Sequence, residues 1–345
     1  MKNAAVLGAS GYTGAEAVRL ILGHPKLNLV ALTAYSRAGE DYADVFPNFI
    51  GQDLPDLMTA DEVNWDDIDV VFACLPHGAS QETIAKIYDR VETVIDLSAD
   101  FRLADPKLYE STYGRPHEFT ELLGERVYGL SEFAKDDLRG AKLVACPGCY
   151  PTCSILALVP GLEAGLIDPA NIIIDAKTGV TGAGRKATLA FAYSETTDGA
   201  QAYGIGNHRH APEMDQAIAQ FAGKDAKVRF TPHLVPMNRG MIATCHVNLK
   251  DGTDISDLRK TYLVRYADSA FVQVLPEGQV PQTRHVRGSN YCQIGVFADR
   301  TPHSAVIVSV IDNLTKGSSG QAIQNYNLVQ GWDETIGLTG VGVFP

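Results

Sequence analysis

The sequence is poor in cysteine and in positive charge. Six cysteines in 345 residues are too few for a disulfide scaffold. Lysine and arginine together number 29 against 41 aspartates and glutamates, which gives a formal net charge of −12. This balance argues against a general nucleic-acid-binding or anionic-membrane surface. An anionic ligand must therefore be held by a local cluster of donors.

The N-terminal residues also lack the apolar stretch and cleavage site of a signal peptide, so a cytoplasmic protein is expected. One uncharged run, 143–162, is long enough to cross a bilayer. Pro147, Gly148, Pro151 and Pro160 interrupt it, and a break in lipid would leave backbone groups unsatisfied. The run is therefore predicted to form a buried strand, turn and helix, and no membrane is expected as a partner.

The order of apolar runs indicates two domains, which the length of 345 residues allows. Before Cys149, strand-like runs alternate with helical stretches, which predicts an α/β domain with a parallel sheet covered on both faces. After Cys149, six strand-like runs have few helices between them, which predicts an α+β domain with a mostly antiparallel sheet. The amphipathic stretch 320–332 is expected to return to the first domain. The predicted domains are 1–148 with 318–345, and 149–317.

A glycine-rich turn, GASGYTG, follows the first predicted strand and leads into a helix. Glycines there allow a tight turn and let a pyrophosphate approach the backbone at the positive end of the helix. The turn therefore predicts a dinucleotide site. Its predicted contacts are Gly8, Ser10, Gly11, Tyr12, Thr13 and Gly14.

The end of the second strand indicates which dinucleotide is bound. An NAD site usually offers a carboxylate about twenty residues past the glycine loop, where it bonds the ribose 2′-hydroxyl. This sequence has Ser36 and Arg37 there, and a hydroxyl with a guanidinium suits a 2′-phosphate better. NADP(H) is therefore the predicted cofactor, although Glu40 and Asp41 place carboxylates in the same loop.

Three cysteines lie close together in LVACPGCYPTCS, at positions 146, 149 and 153. Zinc and iron–sulfur sites typically take four ligands, and the other three cysteines are isolated on predicted strands, so no metal is expected. A Cys-Pro-Gly-Cys dithiol would need a thioredoxin-like context. Here, about five strands of a nucleotide-binding domain come first.

A single nucleophile is the remaining interpretation of this cluster. The strand ends at a Pro-Gly turn and a helix follows, with Pro151 suited to its first turn. Cys149 then lies at the helix N-terminus, where amides and the helix dipole stabilise a thiolate. Cys146 in the strand and Cys153 in the helix are predicted to be buried packing residues.

A histidine is the expected base for Cys149. The stretch YGIGNHRHAPEM contains His208 and His210 on either side of Arg209, a cationic cluster with Glu213 following. Its glycines and the proline predict a loop, where functional residues are common. Because alternate residues of an extended segment share a face, the spacing leaves both histidines open.

These motifs resemble those of the N-acetyl-gamma-glutamyl-phosphate reductase family of arginine biosynthesis, which is related to aspartate-semialdehyde dehydrogenase. The similarity covers essentially the whole chain, in GASGYTGAE, LPHG, DLSADFRL, CPGCYPT, GVTGAGR, HRHAPEM, PHLVPMNRG and KGSSGQAIQNYNL. Cys153 departs from the pattern, which has alanine or glycine there, and a thiol is a small change.

The resemblance implies a Rossmann domain and an α+β catalytic and oligomerisation domain in an NADP-dependent homo-oligomer, a dimer or a tetramer. Cys149 matches the family nucleophile and His208 its acid–base residue. The thiolate displaces phosphate from an acyl phosphate, and the resulting thioester is reduced to a semialdehyde. Further implied contacts are Pro76, Gly317 and Gln321 for the cofactor, and Arg102, Arg209 and Glu213 for the substrate and its phosphate.

Two other functions stay open at this point. One is a sister reductase that acts on aspartyl phosphate or on a carrier-protein-bound acyl group, although a net charge of −12 does not favour docking to an acidic carrier. The other is an NADP sensor without catalysis, which the presence of both Cys149 and the histidine cluster argues against.

Overall fold

The computed structural model describes residues 1–344, which form two compact units. One unit contains residues 1–147 and 318–339, and the other contains 148–317 and the chain from Gly340 onwards. The sequence pattern assigns the C-terminal residues to the first domain, but the Val343 N–H donates to the Arg287 carbonyl of the second unit at 2.8 Å. Pro345 lies outside the described residues, and the roles of the two units stay predictions.

The first unit contains a seven-stranded sheet in which every strand pair is parallel, as predicted. The order is β3-β2-β1-β4-β5-β7-β6, so it reverses between β1 and β4. Such a reversal opens a crevice at the carboxyl ends of the strands, where ligands of parallel sheets bind. The strands are β1 (Lys2–Leu7), β2 (Leu27–Thr33), β3 (Leu57–Met58), β4 (Val70–Ala73), β5 (Thr93–Asp96), β6 (Val127–Tyr128) and β7 (Leu143–Ala145).

The central strands of this sheet are covered on both faces. Every residue of β4, β5 and β7 is buried, and consecutive strand residues point to opposite faces. This explains why these strands appear in the sequence as continuous apolar runs. The helices from the N-terminal part of the unit are α1 (Tyr12–Leu22), α2 (Tyr42–Val45), α3 (Ser80–Ile87), α4 (Pro106–Tyr113), α5 (Thr120–Glu125) and α6 (Lys135–Leu138).

The second unit contains a seven-stranded mixed sheet, in the order β12-β13-β14-β11-β8-β10-β9. Four neighbouring pairs are antiparallel, whereas β12 with β13 and β8 with β10 are parallel. The predicted antiparallel sheet is therefore only partly correct. The prediction rested on the small number of helices between the strands, whereas each parallel pair needs a crossover connection. The strands are β8 (Ile167–Thr178), β9 (Gln201–Ala202), β10 (Arg229–Leu234), β11 (Met241–Leu249), β12 (Val272–Val274), β13 (Cys292–Ala298) and β14 (Ser304–Ile311).

The crossover between β8 and β10 contains a helix that begins at His210, where the sequence pattern predicts a loop. The loop prediction is confirmed for residues 203–209 but is wrong from His210 onwards. Pro212 lies in the first turn of the helix, where N–H groups have no partner within the helix and a missing N–H costs little. Met214, Ala217 and Ile218 supply the buried side of this helix. The helices are α7 (Cys149–Glu163), α8 (Tyr193–Thr196), α9 (His210–Ala222), α10 (Ile255–Arg265) and α11 (Thr283–Val286).

The uncharged run 143–162 forms β7, a Pro-Gly turn and α7, which confirms the predicted strand, turn and helix. All residues of α7 from Tyr150 to Leu162 are buried. Within residues 1–344, no helix combines the length and the apolarity that are needed to cross a membrane.

The last helix, α12 (Gly320–Val329), packs against α1 and β5 of the first unit. It is predicted to be amphipathic, but all its residues except Leu328 are buried. Its polar side chains make hydrogen bonds instead of facing water, as buried polar groups require. The Asn325 amide donates to the Gly129 carbonyl at 2.7 Å, and Asn327 Oδ1 lies 2.9 Å from His24 Nε2.

Candidate functional site

The crevice between β1 and β4 is bounded by a turn that only glycine can form. Gly8 has a φ of +73°, and a Cβ there would lie 2.5 Å from the Cys74 carbonyl oxygen at the end of β4. A Cβ at Gly14 would lie 2.5 Å from the Gly8 oxygen. The turn therefore brings backbone close to backbone, which leaves room for a pyrophosphate at the start of α1.

The N-terminus of α1 suits an anion. Gly11 is the N-cap with extended backbone, no side chain caps the helix, and its first turn contains no acidic residue. Ser10, Tyr12 and Thr13 are partly exposed around this turn, and the Ser319 hydroxyl donates to the Thr13 carbonyl at 2.8 Å. The residues present thus fit the pyrophosphate of a dinucleotide.

The loop after β2 is attached to the glycine turn. The N–H groups of Gly8 and Ala9 donate to the Thr33 hydroxyl at 3.3 Å and the Thr33 carbonyl at 2.8 Å. Ser36 is exposed and Arg37 is half-buried. The predicted 2′-phosphate residues therefore lie at the carboxyl end of β2, where dinucleotide sites recognise the ribose.

His77 and Asp100 form a pair that the sequence motifs do not predict. Nδ1 of the half-buried His77 lies 2.9 Å from Oδ1 of Asp100, which is fully buried. The Asp100 carboxylate also accepts the N–H groups of Gly78 and Ser80 and the Tyr109 hydroxyl. Both residues follow neighbouring parallel strands, β4 and β5, and this placement after the strands was the available signal.

Pro76 and Arg102, two further predicted contacts, lie in these same segments. Pro76 is exposed, whereas Arg102 is buried, with 8% of its surface exposed. The Arg102 guanidinium donates to the Cys146 carbonyl at 2.8 Å and to the Leu97 carbonyl at 3.0 Å. Its charge therefore lies beyond the carboxyl ends of β5 and β7, and its phosphate-binding role stays a prediction.

In the second unit, Cys149 is the first residue of α7 and is partly exposed. Cys146, Cys153, Cys245 and Cys292 are buried, and burial raises the pKa of the Cys146 and Cys245 thiols to about 12. Burial also raises the pKa of the Cys74 thiol above its usual range. The exposure of Cys149 and its place at a helix N-terminus favour it as the reactive thiol.

Glu213, predicted to contact substrate, holds the turn before Cys149. The Gly148 N–H donates to Glu213 Oε1 at 2.8 Å, and this carboxylate is fully buried in the first turn of α9. Arg209, the N-cap residue of α9, is exposed. The HRHAPEM segment therefore contacts Gly148 through its glutamate, and its two histidine rings lie against Tyr150.

His208 lies just before α9, and the His210 N–H donates to its Nδ1 at 3.1 Å. Because Nδ1 accepts this bond, the neutral ring carries its proton on Nε2. Burial and the nearby Arg209 charge lower the pKa of His208 to about 4. The isolated cluster is therefore not cationic at this histidine at neutral pH, contrary to the sequence interpretation.

Cys149 and His208 share aromatic neighbours. The ring centroid of His208 lies 5.6 Å from that of Tyr150 and 5.5 Å from that of Tyr203, and the two tyrosine hydroxyls are 3.0 Å apart. Burial raises the pKa of Tyr203 to about 12, and negative charge on Cys149 contributes to this rise. His210 contacts the same group, with its ring centroid 4.8 Å from that of His208.

Gly317, a predicted cofactor contact, packs directly on Cys149. A Cβ at position 317 would lie 2.8 Å from the Cys149 Cβ, and the Gly317 N–H donates to the Asp312 carbonyl at 2.9 Å. The buried Asp312 carboxylate binds Arg239 through two contacts of 2.9 and 3.0 Å. Gln321, the other predicted contact in this segment, is fully buried.

No group of three or more histidine, cysteine, aspartate or glutamate side chains within residues 1–344 is arranged to hold a metal ion. All six cysteines are in the reduced form.

Two family models match the chain in sequence. Residues 3–141 match the semialdehyde dehydrogenase NAD-binding domain, and residues 149–313 match the semialdehyde dehydrogenase dimerisation domain. The chain therefore has the two-domain semialdehyde dehydrogenase fold, in which the second domain contains the mixed sheet.

Relatives with similar sequences share one printed name. The N-acetyl-gamma-glutamyl-phosphate reductase of Rhodospirillum rubrum is 51% identical over 347 residues, covering 99% of each chain. A probable chloroplastic N-acetyl-gamma-glutamyl-phosphate reductase of Arabidopsis thaliana is 50% identical, covering 99% of this chain and 84% of the plant protein.

Solved structures with a similar fold are aspartate semialdehyde dehydrogenases. That of Vibrio cholerae, a type II enzyme complexed with ASA, has a TM-score of 0.73 at 17% identity, covering 95% of this chain and 98% of the other. The Candida albicans enzyme with NADP has a TM-score of 0.66 at 17% identity, covering 96% and 99%. At these identities the likeness shows the fold alone.

Proposed function

The chain belongs to the N-acetyl-gamma-glutamyl-phosphate reductase family, and from this premise we propose that Cys149 and His208 carry out its reaction. It is an oxidoreductase that reduces N-acetyl-L-glutamyl 5-phosphate to N-acetyl-L-glutamate 5-semialdehyde and phosphate in arginine biosynthesis, with NADP(H) as the cofactor. These two roles are assigned because Cys149 is partly exposed at the first position of α7, and the next residue, Tyr150, contacts the His208 ring.

In the first step, the Cys149 thiolate attacks the acyl carbon and the bond to the phosphate oxygen breaks. A thioester forms on Cys149, and the departing phosphate takes up one proton. Covalent catalysis thus divides one difficult reduction into two easier steps. The N-terminus of α7 is suited to stabilise the oxyanion, because the positive end of the helix dipole lies at Cys149.

His208 is proposed to hold the proton that the phosphate needs. Its neutral ring presents Nε2–H as a donor while Nδ1 accepts the His210 N–H. Burial and Arg209 lower its pKa to about 4, but an anionic acyl phosphate nearby would favour the protonated ring. The proton that the Cys149 thiol releases would then be held at Nδ1, in place of the hydrogen bond from the His210 N–H. Substrate binding would therefore convert a neutral donor into an acid that protonates the leaving phosphate.

When bound, NADPH supplies the hydride that reduces the thioester. Gly8, Gly11 and Gly14, with the N-terminus of α1, are proposed to hold its pyrophosphate. Ser36 and Arg37 are proposed to hold the 2′-phosphate. Collapse of the reduced adduct regenerates the Cys149 thiolate and releases the semialdehyde.

The experiment that tests this function is a turnover assay in the reverse direction. The purified chain is mixed with NADP⁺, phosphate and N-acetylglutamate semialdehyde, and NADPH formation is followed by its absorbance. We expect turnover at least about 10²-fold more efficient than with aspartate semialdehyde, because a site that hydrogen-bonds the N-acetyl group would leave its polar groups unpaired with the smaller substrate. A preference for aspartate semialdehyde would identify a sister reductase, and NADPH binding without turnover would identify a sensor.

The match to a dimerisation domain indicates a homo-oligomer, and we propose the open face of the mixed sheet as its interface. Helix α7 packs on β8, β11 and β14, and alternate residues such as Ile174 and Cys245 are fully buried. Their neighbours on the opposite face are more exposed, including Ile173 at 40%. An exposed apolar residue in the centre of a sheet is suited to contact a second copy of the chain.

The cytoplasmic location of the protein stays a prediction.

Ile173→Glu is therefore expected to dissociate the oligomer. An unpaired carboxylate buried between two copies should raise the dissociation constant by about 10²-fold or more, which sedimentation velocity over a concentration series measures. The matched control is Val264→Glu, a similar change at a residue of α10 that is 69% exposed. If only Val264→Glu dissociated the oligomer, the interface would lie at α10 and not on the open face of the sheet.

A further inference from the structure

The loop after β2 holds two opposite charges where the cofactor's ribose is recognised. Arg37 Nη1 lies 2.8 Å from Glu40 Oε2, and the two side chains are 43% and 41% exposed. A guanidinium at this position favours a 2′-phosphate, whereas a carboxylate favours a 2′-hydroxyl. The pair therefore combines the two recognition modes on one loop.

The loop backbone fixes this arrangement. The Gly39 N–H donates to the Leu57 carbonyl at 2.6 Å, and the Leu57 N–H donates to the Glu40 carbonyl at 3.0 Å. The Ala34 N–H donates to the Met58 carbonyl at 3.0 Å. Both ends of the loop are thus bonded to β3, so Glu40 is held beside Arg37.

We propose that Glu40 is a specificity-determining residue that weakens NADPH binding and supports NADH binding at this site. This inference rests on the proposed cofactor role of Arg37. Glu40 competes with the 2′-phosphate for the Arg37 guanidinium and repels the phosphate by like charge. Toward NADH, its carboxylate accepts a hydrogen bond from the 2′-hydroxyl.

The two effects have opposite signs, which distinguishes them from a general effect on binding. Removing the charge in Glu40→Gln should tighten NADPH binding by about two- to fivefold, the factor that corresponds to the contribution of an exposed ion pair. It should weaken NADH binding by about two- to tenfold, because the 2′-hydroxyl loses a charged acceptor.

The test is a fluorescence titration of the full chain with NADPH and with NADH, at low and high salt. Asp41→Asn is the matched control, since it removes one negative charge at the next position. The Asp41 side chain accepts the Ala43 N–H at 2.8 Å as the N-cap of α2, and asparagine keeps that cap. Arg37→Gln, alone and combined with Glu40→Gln, completes the set.

We expect the NADPH-to-NADH preference to rise in Glu40→Gln and to stay unchanged in Asp41→Asn, with a smaller rise at high salt because exposed charges are screened. Arg37→Gln should weaken NADPH binding by about ten- to a hundredfold and barely change NADH binding. An equal change for both cofactors in Glu40→Gln, no change, or the same rise in Asp41→Asn would overturn the inference. Absence of binding by either cofactor to the unmodified chain would instead contradict the proposed function.

Discussion

Cys149→Ser is expected to abolish turnover while NADP(H) binding is retained. A serine hydroxyl is a much poorer nucleophile than a thiolate, so the rate should fall by about 10⁴-fold or more. Serine is well tolerated at the start of a helix, and we expect the free energy of unfolding to change by less than about 0.5 kcal/mol. Steady-state rates, NADPH titration and thermal unfolding of the same preparation separate these outcomes.

The matched controls are Cys146→Ala and Cys153→Ala. Both thiols are buried, and burial raises the pKa of each, so neither is suited to act as a nucleophile. Each variant should keep most of the activity. If Cys146→Ala were as inactive as Cys149→Ser with the fold preserved, a dithiol mechanism would replace the single thiol.

The features that could be predicted from sequence are those that depend on short segments. The glycine turn and the strand–turn–helix at Cys149 each need only a few neighbouring residues, because turn chemistry and helix starts are local. Their predicted positions agree with β1, α1, β7 and α7. The family motifs extend this by placing known patterns on the same segments.

The features that could not be predicted depend on contacts between distant segments. The parallel pairing of β8 with β10 requires a crossover through α9. The proline near the start of α9 favours a loop when only the neighbouring residues are considered. The packing of Gly317 on Cys149 and the bond between Gly148 and Glu213 join residues far apart in the chain. Such contacts cannot be predicted from the pattern of neighbouring residues.

The electrostatic state of His208 is a further case of this kind. In sequence, His208, Arg209 and His210 form a cationic cluster, whereas burial and Arg209 lower the pKa of His208 to about 4 in the folded chain. The His210 N–H then determines which ring nitrogen carries the proton. Charge composition predicts attraction to anions, but only the folded environment determines which histidine is neutral.

His208→Asn is expected to lower the catalytic rate by roughly 10²–10⁴-fold. Asparagine can still accept the N–H at position 210, which keeps the start of α9, but it cannot protonate the leaving phosphate. Because His208 is neutral near pH 7 in the free chain, the pH of half-maximal alkylation of Cys149 should rise by less than about one unit. His210→Asn should act mainly on substrate affinity. A rise of two units or more in His208→Asn would show a protonated imidazole paired with the thiolate, and loss of rate in His210→Asn alone would exchange the two roles.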